Sequence, residues 1–250
     1  RVTQPSNYAR TVFIEALTRA GVTVTAAPVA ANPAQLLPAQ ASYASAQQIA
    51  RLVSAPFVQD VRYVNKVSYN IGADVSLMLF GLAKNGSTTM AASLAAEQSE
   101  LSSTFGISPS QYHFIDGSGG GDTTANGIAV VAMLRGMRSK PDFAAYVDSM
   151  PALGVDGSLT TITNFEADAT LAGAKGQVHA KTGTYVGVNA SAPTTPILKG
   201  QSLAGYIDAK SGRRIAFFLT VNNVPITGIP DILTVFQDQG TIAALLWKLQ

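Results

Sequence analysis

Three short segments carry residue types that could do chemistry. Ser68-Tyr-Asn70 sets a hydroxyl and a carboxamide two positions apart. On a continuous helix, residues i and i+2 point to different sides. Ser68 and Asn70 can therefore serve one site only if the backbone turns between them, and Gly72 leaves some room for that. Taken alone, Ser68 reads as an ordinary N-cap of the apolar helix that follows. Lys181-Thr-Gly-Thr184 puts a positive charge on a strand of small residues. Gly183 lets another backbone come close because no Cβ intervenes. The hydroxyls of Thr182 and Thr184 could hold a carboxylate, so the strand is suited to docking an extended peptide. Taken alone, it also reads as a strand ending in a solvated lysine. Asp116-Gly-Ser-Gly119 has the glycines of a tight turn. It lacks the spacing of a dinucleotide or P-loop fingerprint, so it reads as structural, with Asp116 bonding the turn's backbone amides.

Other chemistries find little support. The two histidines, His113 and His179, form no H-x-x-x-H pair, and the chain has no cysteine. A zinc site is not expected, and disulfides and cysteine nucleophiles are excluded. No G-x-S-x-G elbow accompanies His179, and Glu97, Glu100 and Glu166 read as solvated rather than as a glycosidase pair. The net charge is only +2, and the longest basic run is Arg213–Arg214, which argues against electrostatic binding to nucleic acid or a membrane surface. Hydrophobic residues make up 47% and charged ones 13%, so the chain is globular rather than disordered. Its longest apolar stretch, Ile71 to Ala83, is too short to span a bilayer, and the first ten residues lack the apolar core of a signal peptide.

The elements that must position these segments follow from periodicity and punctuation. Helices are expected from Ser6 or Asn7 to Arg19, Ser45 to Ser54, Phe57 to Asn65, Asn70 to Lys84 (strongly apolar, hence buried), Thr88 to Ser103, Thr124 to Arg138, Pro141 to Met150 and Asp231 to Leu249. Strands are expected at Val22–Thr25, Tyr112–Ile115, Gly176–Thr182, Ser202–Asp208 and Arg214–Val221, the last two joined by the hairpin signal Lys210-Ser-Gly212. Residues 27–44 read as a surface loop. No linker divides the chain convincingly. Helices, then antiparallel strands, then a last helix predict an α+β fold, a sheet covered by helices.

Together the segments resemble the peptidase S13 family, the D-alanyl-D-alanine carboxypeptidases of the low-molecular-mass penicillin-binding type. Ser68 and Lys181 stand 113 positions apart. Between them lie Asp116 to Gly119 and Gly154-Val-Asp-Gly-Ser-Leu159; after them come Leu203-Ala-Gly-Tyr206 and Val221-Asn222, all matching family segments in order. The resemblance implies the penicillin-binding-protein/β-lactamase-like transpeptidase fold, with residues 1–250 as its C-terminal part. It implies that Ser68 relays a proton to the leaving amine and that Asn70 holds the substrate amide and the activating lysine. Lys181 would stabilise the anionic substrate, and Thr182 and Thr184 would bind its terminal carboxylate along the Gly183 strand. The N–H of Thr184 would form half of the oxyanion hole. It implies no metal or organic cofactor, an extracytoplasmic setting, and peptidoglycan peptides or β-lactams as ligands, with membrane association left open.

The chain also departs from the family pattern. The family's Ser-x-x-Lys nucleophile element is absent: no lysine of the chain has serine three positions before it. The resemblance therefore implies an upstream segment of the same protein that supplies it. Gly120-Gly-Asp122 stands where the family usually carries a Leu-Ser-Arg-like continuation. Asn189 to Gln201 reads as an insert that lengthens a loop at the cleft rim. The alternatives are a wall-peptide-binding pseudoenzyme without a nucleophile, and a β-lactamase or esterase of the same fold.

Overall fold

The computed structural model describes residues 2–45 and 47–250. The chain forms two compact units, Arg1–Val53 and Ser54–Gln250. The first holds one long helix, α1 (Pro5–Arg19), with Pro5 in its first turn and Gln4 as a cap that makes no side-chain bond. The expected Ser6 or Asn7 cap is thus displaced by proline, whose fixed φ and missing N–H suit a helix start. Val22–Thr25 forms no strand, and Ala34–Leu36 and Gln40–Ser45 are short 3-10 turns. The helix expected over Ser45–Ser54 does not form at residues 47–54, and Ala46 lies outside the described residues. A helix this short needs a packed apolar face, and Ile49, Leu52 and Val53 are all exposed. The boundary between the units falls in this stretch without regular structure.

The second unit begins with α2 (Phe57–Val67), α3 (Asn70–Asn85) and α4 (Met90–Phe105). Gly86 and Gly106 end α3 and α4 in the left-handed conformation, and the Thr89 hydroxyl caps α4 by accepting from the Ala92 N–H. The Thr88 start expected for α4 moves to that cap. Of the apolar residues of α3, only Leu77 and Gly81 are buried. Ile71, Val75, Met78, Leu79 and Leu82 are exposed, contrary to the buried helix expected from composition. These five fall at helical spacing on one stripe, so α3 is two-sided rather than central.

A small ribbon pairs β1 (Tyr112–His113) with β2 (Thr124–Ala125), so the strand expected to Ile115 ends early and Thr124 belongs to a strand. Asn126 then caps α5 (Gly127–Met137), and α6 (Phe143–Ser149) follows. The main sheet is antiparallel, in the order β3 (Val178–Val188), β4 (Pro196–Asp208), β5 (Arg214–Pro225). The closing helix is α7 (Ile229–Leu249). Its Asp231 is not the cap but accepts from the N–H and hydroxyl of Thr227, just before the helix.

The sheet is covered on both faces. On one, Val178, Ala180, Leu203 and Ile207 pack with Leu159, Phe165 and, from α7, Ala243 and Ala244. On the other, Tyr206 packs with Leu134 of α5, Val147 of α6 and Met150, and its hydroxyl donates to the Leu134 carbonyl at 2.6 Å. Burying side chains of this size is worth about 1.5–3 kcal/mol each. Of Asn189–Gln201, expected as a loop, residues 189–195 form one, but Pro196–Gln201 belong to β4: β3 runs on to Val188 and β4 starts at Pro196, with a register shift beside Tyr185 and Val186. Val186, Val188 and Ile197 favour strands, and pairing satisfies backbone groups that a long loop would leave to water.

Candidate active site

Ser68 sits where α2 ends and α3 is about to begin. Its backbone is left-handed, with φ 56° and ψ 53°, a conformation that costs a non-glycine residue about 1–3 kcal/mol. The turn is held from both sides. The Tyr69 N–H donates back to the Val64 carbonyl at 3.0 Å, and the rings of Tyr63 and Tyr69 meet edge to face at 6.0 Å. Gly72 makes it possible: a Cβ there would lie 2.6 Å from a methyl of Val64. The backbone therefore turns between Ser68 and Asn70, as convergence of those two residues requires. Asn70 is the first residue of α3 and is exposed.

Lys181 reaches this turn from β3. Its Nζ donates to Ser68 Oγ at 2.7 Å and to the carbonyl of Thr182 at 2.6 Å. Burial pulls the Lys181 ammonium down from 10.5 to about 8, because a charge leaving water favours its neutral form. Two segments more than a hundred residues apart thus meet side chain to side chain.

The other three predicted residues lie along the same strand. Thr182 is buried and its hydroxyl pairs with Ser158 Oγ at 2.8 Å. The Thr184 hydroxyl donates to Gln201 Oε1 at 2.7 Å. Gly183 faces its cross-strand partner Ser202, whose Oγ would lie 2.7 Å from an added Cβ. Side chains alternate along a strand. Thr182 and Thr184 therefore share the face of Val178 and Ala180, and Lys181 shares that of His179.

The backbone edge matters as much. The Leu153 N–H donates to the Val178 carbonyl, and the Ala180 N–H to the Pro151 carbonyl, both at 2.9 Å. This pairing occupies the outer edge of β3 up to Ala180. Outward-pointing backbone groups recur every second residue in an antiparallel ladder, so those of Thr182 and Thr184 point the same way. β3 is the outer strand of its sheet, and no strand pairs with it there among the described residues. The Thr184 N–H thus faces an open edge beside Lys181.

The remaining sequence candidates take structural places. Asp116 Oδ1 accepts from the N–H groups of Ser118, Gly119 and Gly120 at 3.0, 2.7 and 3.1 Å, the turn-holding role expected of it. The Gly117 N–H donates to Asp74 of α3 at 3.0 Å. His179 is half-buried in β3; burial lowers its pKa, and its Nδ1 has no partner. Glu97 is not simply solvated, as burial raises it to about 7. Among the described residues no group of three or more His, Cys, Asp or Glu could hold a metal, and no helix is long and apolar enough to cross a membrane. Sequence reasoning overlooked Lys66, Asp156, Ser158 and Gln201, which bond into or beside the site. Asp156 and Ser158 belong to Gly154–Leu159, a segment noted for its order in the chain but given no role.

Comparison with known proteins places the chain and its fold. The model of the D-Ala-D-Ala carboxypeptidase 3 (S13) family matches residues 1–235. Carboxypeptidase DacB of Mycolicibacterium smegmatis is 29% identical over 183 residues, covering 72% of this chain and 36% of that protein. The crystal structure of penicillin binding protein 4 (dacB) from Haemophilus influenzae, complexed with a β-lactam, superposes with a TM-score of 0.69 at 20% identity. It covers 99% of this chain and 52% of that one. The extended-spectrum β-lactamase TLA-3 superposes with a TM-score of 0.51 at 14% identity over 98% of this chain and 84% of its own. The fold is that of penicillin-binding proteins and β-lactamases, and the chain spans between about a third and a half of the DacB proteins it matches. The chain belongs to the D-Ala-D-Ala carboxypeptidase 3 (S13) family.

Proposed function

We propose that this chain is the C-terminal part of the transpeptidase-like domain of a serine D-alanyl-D-alanine carboxypeptidase/endopeptidase. In this reading the complete protein acts on peptidoglycan stem peptides outside the cytoplasm and is acylated by β-lactams. The observation that carries it is the 2.7 Å contact between Lys181 and Ser68 beside an open strand edge. Family membership supports it, and so does the β-lactam complex of the Haemophilus influenzae relative.

The roles follow from the chemistry available. A serine nucleophile needs a neighbouring base. None of the lysines here stands three residues after a serine, so an upstream Ser-x-x-Lys segment supplies nucleophile and base. Its hydroxyl attacks the carbonyl of the penultimate D-alanine. The C–N bond breaks, the leaving amine takes a proton through Ser68, and water later resolves the ester. Lys181, drawn to about 8 by burial, holds the Ser68 oxygen and offers a positive charge to the anionic substrate. Asn70 positions the substrate amide. The Thr184 N–H stabilises the oxyanion; one such donor is worth about 3–4 kcal/mol. The carboxylate goes to Thr182 and Thr184, which exchange their bonds to Ser158 and Gln201 for charge-assisted ones. Gly183 keeps the strand narrow between them.

Mass spectrometry after incubation with benzylpenicillin tests the reading. The complete protein gains one covalent adduct and the 250-residue chain gains none. Lys181→Ala in the complete protein slows acylation at least about a hundredfold, the scale on which transition-state contacts act. An adduct on the isolated chain would falsify the division of labour, and near-normal acylation of Lys181→Ala would remove that residue from the mechanism.

A further inference from the structure

The Ser68–Lys181 contact joins two elements that need not stay at a fixed distance: the end of a helix and the edge of a sheet. One segment, Met150 to Leu159, touches both. On the helix side, the last turn of α2 docks onto it. Asn65 Nδ2 donates to Ser149 Oγ at 2.8 Å, just before the segment. Lys66 Nζ donates to the Met150 carbonyl at 2.5 Å and to both carboxylate oxygens of Asp156 at 2.8 Å. The Lys66 side chain is only 14% exposed. Gly157 presses against the same turn: its φ is +58°, and a Cβ there would stand 2.7 Å from the Lys66 carbonyl oxygen. On the sheet side, Asp156 Oδ1 accepts from the Ala152 N–H at 2.9 Å. Ala152 is the residue that pairs with His179 of β3, and Ser158 bonds Thr182.

The contacts therefore run from Lys66, two residues before Ser68, through Asp156 to Ala152, whose neighbours Pro151 and Leu153 bond Ala180 and Val178 on either side of His179, two residues before Lys181. We propose that the Lys66–Asp156 ion pair is a positioning device for the catalytic centre, fixing the distance between the Ser68 turn and β3. The inference rests on the catalytic reading given above. Neither residue touches substrate; both act through Ser68 and Lys181. The charges suit the task. Burial works against the Asp156 carboxylate, yet the bonds from Lys66 and the Ala152 N–H hold it below its ordinary value. Removing one partner leaves the other charge half-buried and uncompensated, whereas replacing both with apolar residues of similar size is tolerated in many proteins.

Acylation of the complete protein by a chromogenic β-lactam, with Tm recorded in parallel, tests this. Asp156→Asn lowers the acylation rate about 10- to 100-fold, as expected when reacting groups shift by roughly an ångström, and Asp156→Glu recovers part of it. The pair Lys66→Met with Asp156→Leu keeps a Tm near that of the parent and is still slow. In a Ser68→Ala background, Asp156→Asn costs less than about twofold more, because the group it positions is already gone. Parent-like acylation by the Met/Leu pair overturns the proposal. So does an equal Asp156→Asn penalty with and without Ser68, the mark of a merely structural role. Normal acylation by Ser68→Ala alone would instead remove the catalytic reading, and the proposal with it.

Discussion

At Lys181, the proposed role and stability pull apart. A lysine at its ordinary value of 10.5 would keep its charge at no cost, but burial draws this one to about 8. Between those values the folded chain binds fewer protons than the unfolded one, so the lysine's contribution to stability rises with pH across that window. Below pH 8 the ammonium is charged in both states, and the folded state carries the whole desolvation penalty. Lys181→Met should therefore make the 250-residue chain more stable at pH 7, with the gain shrinking as pH climbs from 8 to 10.5. Urea unfolding at pH 7, 8.5 and 10.5 measures it. A loss of stability at pH 7, or a gain unchanged at pH 10.5, would show that the bonds to Ser68 and Thr182 outweigh burial. The type and spacing of Lys181 and Ser68 were readable as candidates, and the family resemblance put them at one groove; no local pattern could, because none reports a meeting across 113 positions. The threonines were readable as hydroxyls near a site. That each already holds a partner, Ser158 and Gln201, depends on which face a strand turns inward.

Elements were legible where one local rule governs them, and less so where neighbours decide. Phe57–Val67 has an amphipathic period and forms as expected, running two residues further. The hairpin at Lys210-Ser-Gly212 forms because its turn chemistry is local, with Gly212 at φ +85°. Residues 47–54 have helical composition but leave Ile49, Leu52 and Val53 exposed, and in Asn189–Gln201, of loop composition throughout, residues 189–195 form the loop while Pro196–Gln201 join β4. The groove between α2, α3 and α4 was invisible for the same reason. It encloses about 350 Å³ and is lined by Val61, Val64, Leu77, Phe80 and Leu101, with Glu97 among them. Burial raises Glu97 from 4.5 to about 7. Here the folded chain holds a proton that the unfolded chain loses, so stability conferred below pH 4.5 is lost as pH rises through 7. Glu97→Gln, neutral throughout, should flatten the fall in Tm between pH 5 and 7.5, while the parent declines. An equal decline in both would place the titration elsewhere.

The whole molecule is built unevenly. Both hydrophobic clusters, the one under α7 and the one under α5 and α6, consist of residues after Ser54. Arg1–Val53 contributes one helix, whose buried residue is Ile14, and two 3-10 turns. Between the units, residues 47–56 form no element, and Arg51 is exposed there. Proteolysis favours exposed backbone without regular hydrogen bonding, and cooperative unfolding follows the packed core. Brief trypsin treatment should therefore cut first after Arg51. The product beginning at Leu52 should keep a single cooperative transition, with a Tm within a few degrees of the intact chain. The paths from Lys66 to Asp156 and from Lys181 to Ser68 lie wholly within that product. Loss of the transition on cutting would mean that the first unit supports the sheet. An initial cut inside residues 57–250 would mean that the weakest backbone lies among the helices around the site.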